Sequence, residues 1–174
     1  MIVFRNTDLD VPFLWESDVQ PPARWHAAEE GPAQYFSSTP ESAWAEFCRH
    51  QEILEPVDLA GIERVLWAVE INDEPPVEPH LPPDTLTGDR SSYPACQAEG
   101  RRLRAAGASR LEAPSAAVDS TSSSGWHVEG GLQPSDRRDE RTIVVYGRRP
   151  GLTGWRACAP GGPGVEVLVR TRHL

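Results

Sequence analysis

RWHAAEEGPAQYFSSTPESAWAEF, residues Arg24 to Phe47, contains the hand-over from strand to helix on which the fold reading turns. Ala33–Ser37 is a short run with two aromatics, and Arg24–His26 reads as a second short strand across the Glu29-Glu30-Gly31-Pro32 turn. Thr39-Pro40 then starts a helix. Threonine is a good N-cap, and proline at the first helical position lacks only an N–H that would have no intrahelical partner. The apolar spacing carries that helix from about Pro40 to about Ile53. Within it Ala43, Glu46, Phe47 and His50 fall at i, i+3, i+4 and i+7 and share a face. With Phe47 directed to the core, Glu46 lies at the border between core and solvent, where a carboxylate can line a cleft.

Working outward, Ile2–Arg5 reads as a strand and Leu9–Pro22 as an irregular connection. Arg64–Ile71, RVLWAVEI, is the strongest strand signal in the first half. Asn72–Asp89 is rich in proline and reads as surface loop, and Tyr93–Ala106 as a helix with Gly100 as its weak point and Gly107 as its stop. Arg110–Ala117 is a strand ending near Ser115. Asp119–Arg141 is polar, with a serine-rich run and Gly130-Gly131, and is expected to be a long mobile loop or insertion. Thr142–Tyr146, Trp155–Ala159 and Val165–Arg170 are then three strands separated by Gly/Pro turns. Strands outnumber helices, and their clustering at the C-terminal end favours antiparallel pairing, so the expected class is α+β with largely antiparallel sheets. A GxGxxG turn after a strand is absent, which argues against a Rossmann dinucleotide site.

The 174 residues are enough for a single domain with its own core, expected to span 1–174. No apolar run reaches the length of a membrane span and the N-terminus lacks a signal-peptide pattern, so the expectation is a soluble cytoplasmic protein without membrane contact. Three widely spaced cysteines (Cys48, Cys96, Cys158) write neither a disulfide framework nor a metal knuckle. Cys48 and His50 point to different sides of their helix, and no metal is expected. The net charge of −9 is a poor footprint for direct nucleic-acid binding. It is unevenly placed, with a strongly acidic first hundred residues and a net basic remainder. Either folding mixes these charges over one surface, or the basic half helps hold an anionic ligand. All 17 cations are arginine. The lack of lysine excludes a Walker-type phosphate loop, Schiff-base chemistry and a lysine base, so anion binding must use guanidinium forks and backbone amides.

Arg24, Tyr35 and Glu46 on neighbouring strands and the following helix can converge on one cleft. That trio suits cleavage of the nicotinamide–ribose bond of NAD. A guanidinium fork matches diphosphate oxygens, and an aromatic ring can stack on nicotinamide. A carboxylate can accept from the ribose 2′-OH and stabilise the oxocarbenium-like charge as nicotinamide leaves. Nicotinamide departs neutral, so one carboxylate suffices.

Phe4-Arg5, ARWH at Ala23–His26, GPAQYFSSTPESAWAEF at Gly31–Phe47, and YPACQAEG at Tyr93–Gly100 with APS ending at Ser115 resemble, in that order, the RES domain. The resemblance covers roughly residues 2–117. It implies an ADP-ribosyltransferase-like fold and a toxin of a RES–Xre toxin–antitoxin module. Such a toxin consumes NAD as substrate, without a separate cofactor, by hydrolysis, phosphorolysis or ADP-ribosyl transfer, and is neutralised by an antitoxin with an Xre-like helix-turn-helix. Carried onto this chain, it implies Glu46 and Tyr35 as catalytic residues and Arg5, Arg24 and Ser115 as NAD-binding residues. The family usually has asparagine where His26 stands and glycine where Ala23 stands. The alternative is a catalytically inactive RES-like module acting through partner contact. The acceptor of ADP-ribose, and the choice between homo-oligomer and toxin–antitoxin hetero-oligomer, stay open from sequence.

Overall fold

The computed structural model describes residues 1–72, 75–118 and 123–174. Its main body is one six-stranded antiparallel sheet. The strands are β1 (Ile2–Thr7), β2 (Ala33–Ser37), β3 (Val65–Glu70), β4 (Arg110–Pro114), β7 (Arg141–Tyr146) and β8 (Thr153–Arg156), in the order β4-β7-β2-β1-β3-β8. A separate antiparallel pair is made by β5 (Ser123–Val128) and β6 (Leu132–Arg138). Among the described residues there are four α-helices: α1 (Pro40–His50), α2 (Pro83–Thr87), α3 (Tyr93–Ala105) and α4 (Glu166–Arg170). The class is α+β with antiparallel sheets, as the sequence predicts.

The sheet divides at its middle. β1 pairs with β3 along six residues and β2 with β7 along five, but β1 and β2 meet only at Phe4 and Ser37 among the described residues. Beyond that rung the two strands part. One face of the sheet packs Val3, Phe36, Val69, Ile143 and Val145 together. The other buries Leu111, Ala113, Val144 and Tyr146 with Leu103 and Cys96 of α3. α1 packs Ala45 and Cys48 on Ala117, Val118 and Val167. It begins as its sequence dictates: the Thr39 side chain accepts from Ser42 N at 3.1 Å, with Pro40 next.

Two buried glutamines tie down the irregular segment between β1 and β2. Gln34 accepts from Trp15 N at 2.7 Å and donates to Trp15 O at 2.6 Å. Gln20 forms the same reciprocal pair with Ala33, at 2.7 and 2.9 Å. Each side-chain amide matches one backbone donor and one backbone acceptor, so buried polar groups of a loop without ladder bonds are satisfied.

Several elements differ from expectation. Arg24–His26 is a closed turn, with Ala23 and His26 exchanging backbone hydrogen bonds at 3.0 and 3.4 Å; Trp25 is buried at its tip. Val165–Arg170 shows strand-like alternation but contains the short helix α4, which buries Val167 and leaves Val165 and Val169 exposed. Packing against α1 overrides its β propensity. β8 lies two to three residues earlier than Trp155–Ala159. Within Asn72–Asp89 most described residues are exposed, as a surface loop would be, but Val77 bridges to Leu111 and α2 buries Leu86, which anchors the stretch to the core at those points. Of Asp119–Arg141, residues 119–122 lie outside the described residues, and 123–138 is a hairpin rather than a loop. Its turn uses Gly130 and Gly131, both at positive φ.

Gly100 in α3 has a definite cause. A Cβ there would lie 2.6 Å from the Trp25 carbonyl oxygen and 3.1 Å from the Tyr146 hydroxyl. Alanine favours a helix interior by about 1 kcal/mol, but the clash is with backbone and wins. Gly100→Ala is expected to lower the unfolding free energy by about 1–3 kcal/mol, measured by urea denaturation; an equal or higher stability would show that the Trp25 turn can move aside freely.

Candidate active site

Where β1 and β2 part, a cavity of about 510 Å³ opens, within the range of small-molecule sites. Phe4, Arg5 and Asn6 line it from β1, Tyr35, Phe36 and Ser37 from β2, and Ala43, Glu46, Phe47, Arg49 and His50 from α1. Arg24 and Trp25 enter from the closed turn, Tyr93 from the start of α3, and Thr142 from β7. Four of the five residues singled out in the sequence, Arg5, Arg24, Tyr35 and Glu46, thus share one cavity. The fifth, Ser115, lies just beneath it, buried, with its Oγ donating to Glu46 Oε1 at 3.2 Å.

Glu46 is held by two hydroxyls. Ser115 Oγ and Thr142 Oγ1, the latter at 3.1 Å, both donate to Oε1, while Oε2 receives no hydrogen bond among the described residues. Ser115 is fixed in turn by Ser42 Oγ at 3.4 Å, and its Oγ also accepts from Ala117 N at 3.2 Å. One carboxylate oxygen is therefore anchored and the other is available to a ligand.

Tyr35 is held equally firmly. Its hydroxyl accepts from Trp25 N at 3.0 Å and lies 2.9 Å from His26 Nδ1. Burial pushes the phenol well above its ordinary range, so it stays protonated. His26 is fully buried, and that burial lowers its pKa. A neutral imidazole can accept the phenolic proton at Nδ1 while the Tyr35 oxygen accepts from Trp25. Protonation would turn Nδ1 into a donor and break this arrangement. Because the folded state resists a proton that the unfolded chain takes up near 6.5, stability is full above that pH and declines as the pH falls below it. The expected slope is at most about 1.4 kcal/mol per pH unit, read from urea midpoints between pH 7.5 and 5.5. His26→Asn should flatten this dependence, and an equally steep decline in the variant would remove His26 as its source.

The arginines are not alike. Arg24 is only 8% exposed, and its guanidinium donates to Thr85 O at 3.3 Å, Ser92 Oγ at 2.8 Å and Gly88 O at 2.6 Å, stacking on the Tyr93 ring at 4.9 Å. Arg49, unmarked by any sequence signal beyond a favourable place at a helix C-terminus, is similarly enclosed. It donates to Ala116 O and Arg172 O at 2.6 Å and shares Gly88 O at 2.8 Å. Arg5 makes only long contacts, to Phe13 O at 3.2 Å and Gln34 Oε1 at 3.4 Å. Burial and the neighbouring Arg64 push its pKa down to about 10, which leaves it charged at neutral pH. Arg64 also lines the cavity, stacked on Phe47 at 4.4 Å and paired with Asp8. Four guanidiniums thus surround one glutamate in a protein of net charge −9. Such a cavity favours a ligand with more than one negative charge that also offers a group to a single carboxylate.

The RES domain model matches residues 9–128, and the chain belongs to the RES domain family. A search of curated proteins finds no match. Among solved structures, a chain of the M. tuberculosis MbcT–MbcA toxin–antitoxin complex is similar in fold, with a TM-score of 0.60 at 18% identity, over 88% of this chain and 82% of that one. Among the described residues, no helix is long and apolar enough to cross a membrane.

Proposed function

We propose that this protein is the toxin of a toxin–antitoxin pair and that it consumes NAD by cleaving the nicotinamide–ribose bond. The observation that carries the reading is the single half-anchored carboxylate of Glu46 in a cavity lined by four arginines and Tyr35. Family membership and the fold shared with a chain of a toxin–antitoxin complex support the toxin role.

In this reading Arg5, whose guanidinium keeps uncommitted donors, binds the diphosphate, Arg24 and Arg49 lend positive charge from the wall, and the Tyr35 ring flanks the nicotinamide. Glu46 Oε2 accepts from the ribose 2′-OH and stabilises positive charge on the sugar as the C1′–N bond lengthens. The bonding electrons leave with nicotinamide, which departs neutral, and the sugar carbon is captured by water, phosphate or a protein side chain. Ser115 and Thr142 act through Glu46 by fixing its rotamer and are positioning residues. An antitoxin with an Xre-like helix-turn-helix holds the enzyme inactive.

The test is incubation of the purified protein with NAD, following free nicotinamide. Release is expected; ADP-ribose as co-product marks hydrolysis, a phosphorylated ADP-ribose marks phosphorolysis, and labelled protein marks transfer. No nicotinamide from wild-type protein freed of its antitoxin would overturn the enzymatic reading in favour of a binding module.

A further inference from the structure

Next to the first cavity lies a second, of about 280 Å³, lined by the end of β1 and by the segment that follows it, including Val11, Leu14, Glu16 and Ser17. The two cavities share Arg5, Asn6, Trp15 and Arg64 as common walls. Every residue with a proposed role at the scissile bond lies in or beneath the first cavity, so the chemistry makes no use of the second.

The shared walls are built rather than incidental. Arg5 and Arg64 stand close enough to repel each other, and only Arg64 has a carboxylate partner among the described residues. Arg64 Nε is fixed by Asn6 Oδ1 at 2.9 Å and its plane rests on Phe47. Each guanidinium carries five donors, most of them uncommitted here, and a diphosphate between them would relieve the repulsion. Trp15 belongs to a segment without regular structure, yet buried Gln34 grips both its N–H and its carbonyl, and its indole donates to Val19 O at 3.2 Å. A large aromatic held this firmly at a cavity wall is a platform for a planar base. Arg24, by contrast, has most of its guanidinium committed to loop carbonyls and a serine and is poorly placed to grip a ligand by itself.

Resting on the reading of NAD as substrate, we propose that the dinucleotide spans both cavities. The nicotinamide riboside half occupies the first. The diphosphate is clamped at the junction by Arg5 and Arg64. The adenosine half lies in the second cavity against Trp15. Arg64 and Trp15 are thereby assigned as binding residues that select a dinucleotide over a mononucleotide.

The experiment compares kcat/KM for NAD and for nicotinamide mononucleotide, which contains the same scissile bond but lacks the adenylate half. Wild-type protein should prefer NAD by about 100-fold. Arg64→Gln removes one arm of the clamp, and Ser17→Trp, at an exposed position that lines only the second cavity, fills the adenosine space; each should reduce the preference at least tenfold. A general loss of structure would lower both substrates together and leave the ratio in place, so an unchanged ratio in both variants overturns the proposal. Equal turnover of the two substrates by wild-type protein also overturns it while leaving NAD cleavage intact. Release of nicotinamide from neither overturns NAD cleavage and the two-cavity mode together.

Discussion

Glu46→Gln is expected to lower kcat for NAD by about 10²–10³-fold, the scale on which a preorganised group facing a developing charge acts, with the fold unchanged. Glutamine is isosteric, and its carbonyl oxygen can still accept from Ser115 and Thr142 as Oε1 does now. What disappears is the full negative charge facing the sugar. Because that charge is needed most as the glycosidic bond breaks, the loss should fall on kcat more than on KM. Nicotinamide release at varied NAD concentration separates kcat from KM, and a thermal melt checks that the fold is unchanged. Unaltered kcat in a well-folded variant would remove Glu46 from the mechanism and leave its two hydroxyl anchors without a purpose.

Arg24→Ala should act mainly on stability. The sequence suggests a phosphate-binding arginine whose loss would raise KM in a stable fold. The geometry instead gives Arg24 a buried guanidinium that satisfies Thr85 O and Ser92 Oγ and shares Gly88 O with Arg49. Truncation strands these acceptors and unstacks Tyr93, for a loss of about 3 kcal/mol. In a chain of this size that lowers Tm by about 6–12 °C. Arg5→Ala is the control: its contacts are few and long, so it should raise KM with little change in Tm. Equal melting temperatures for the two variants would show that Arg24 is no more structural than Arg5.

The start of the helix after β2 was legible, though α1 ends at His50 rather than near Ile53 and Arg24–His26 is a turn rather than a strand. Thr39 caps, Pro40 follows, and the 3.6-residue period sets Ala43, Glu46 and His50 along the side of α1 that faces the cavity, while Phe47, read from the sequence as core, packs on the core and also lines the cavity. Tyr35 was legible by position, since strand alternation sets it on the face opposite Gln34 and Phe36. The clamps that hold these residues were not, because a glutamine matching a loop backbone, or a guanidinium between carbonyls sixty residues away, leaves no periodicity in the chain. Arg49 and Arg64 are unmarked for the same reason: each reads as an ordinary charge near an element's end. The hairpin at 123–138 was missed differently. β6 is exposed throughout, so it lacks the apolar alternation by which strands are recognised, and only Gly130-Gly131 announces its turn. α4 misled in the opposite sense, with an alternating valine pattern on a segment too short and too exposed to be ruled by it.

The meeting of β1 and β2 at one rung means that, by backbone pairing, the main sheet is two three-stranded leaves, β4-β7-β2 and β1-β3-β8, joined at Phe4 and Ser37. A ligand seated in the gap touches both leaves and acts as a rivet across the seam. Occupancy of the cavity and cohesion of the sheet are therefore linked: a ligand bridging the gap adds to the apolar contacts by which Val3 and Val69 of one leaf already pack on Phe36, Ile143 and Val145 of the other.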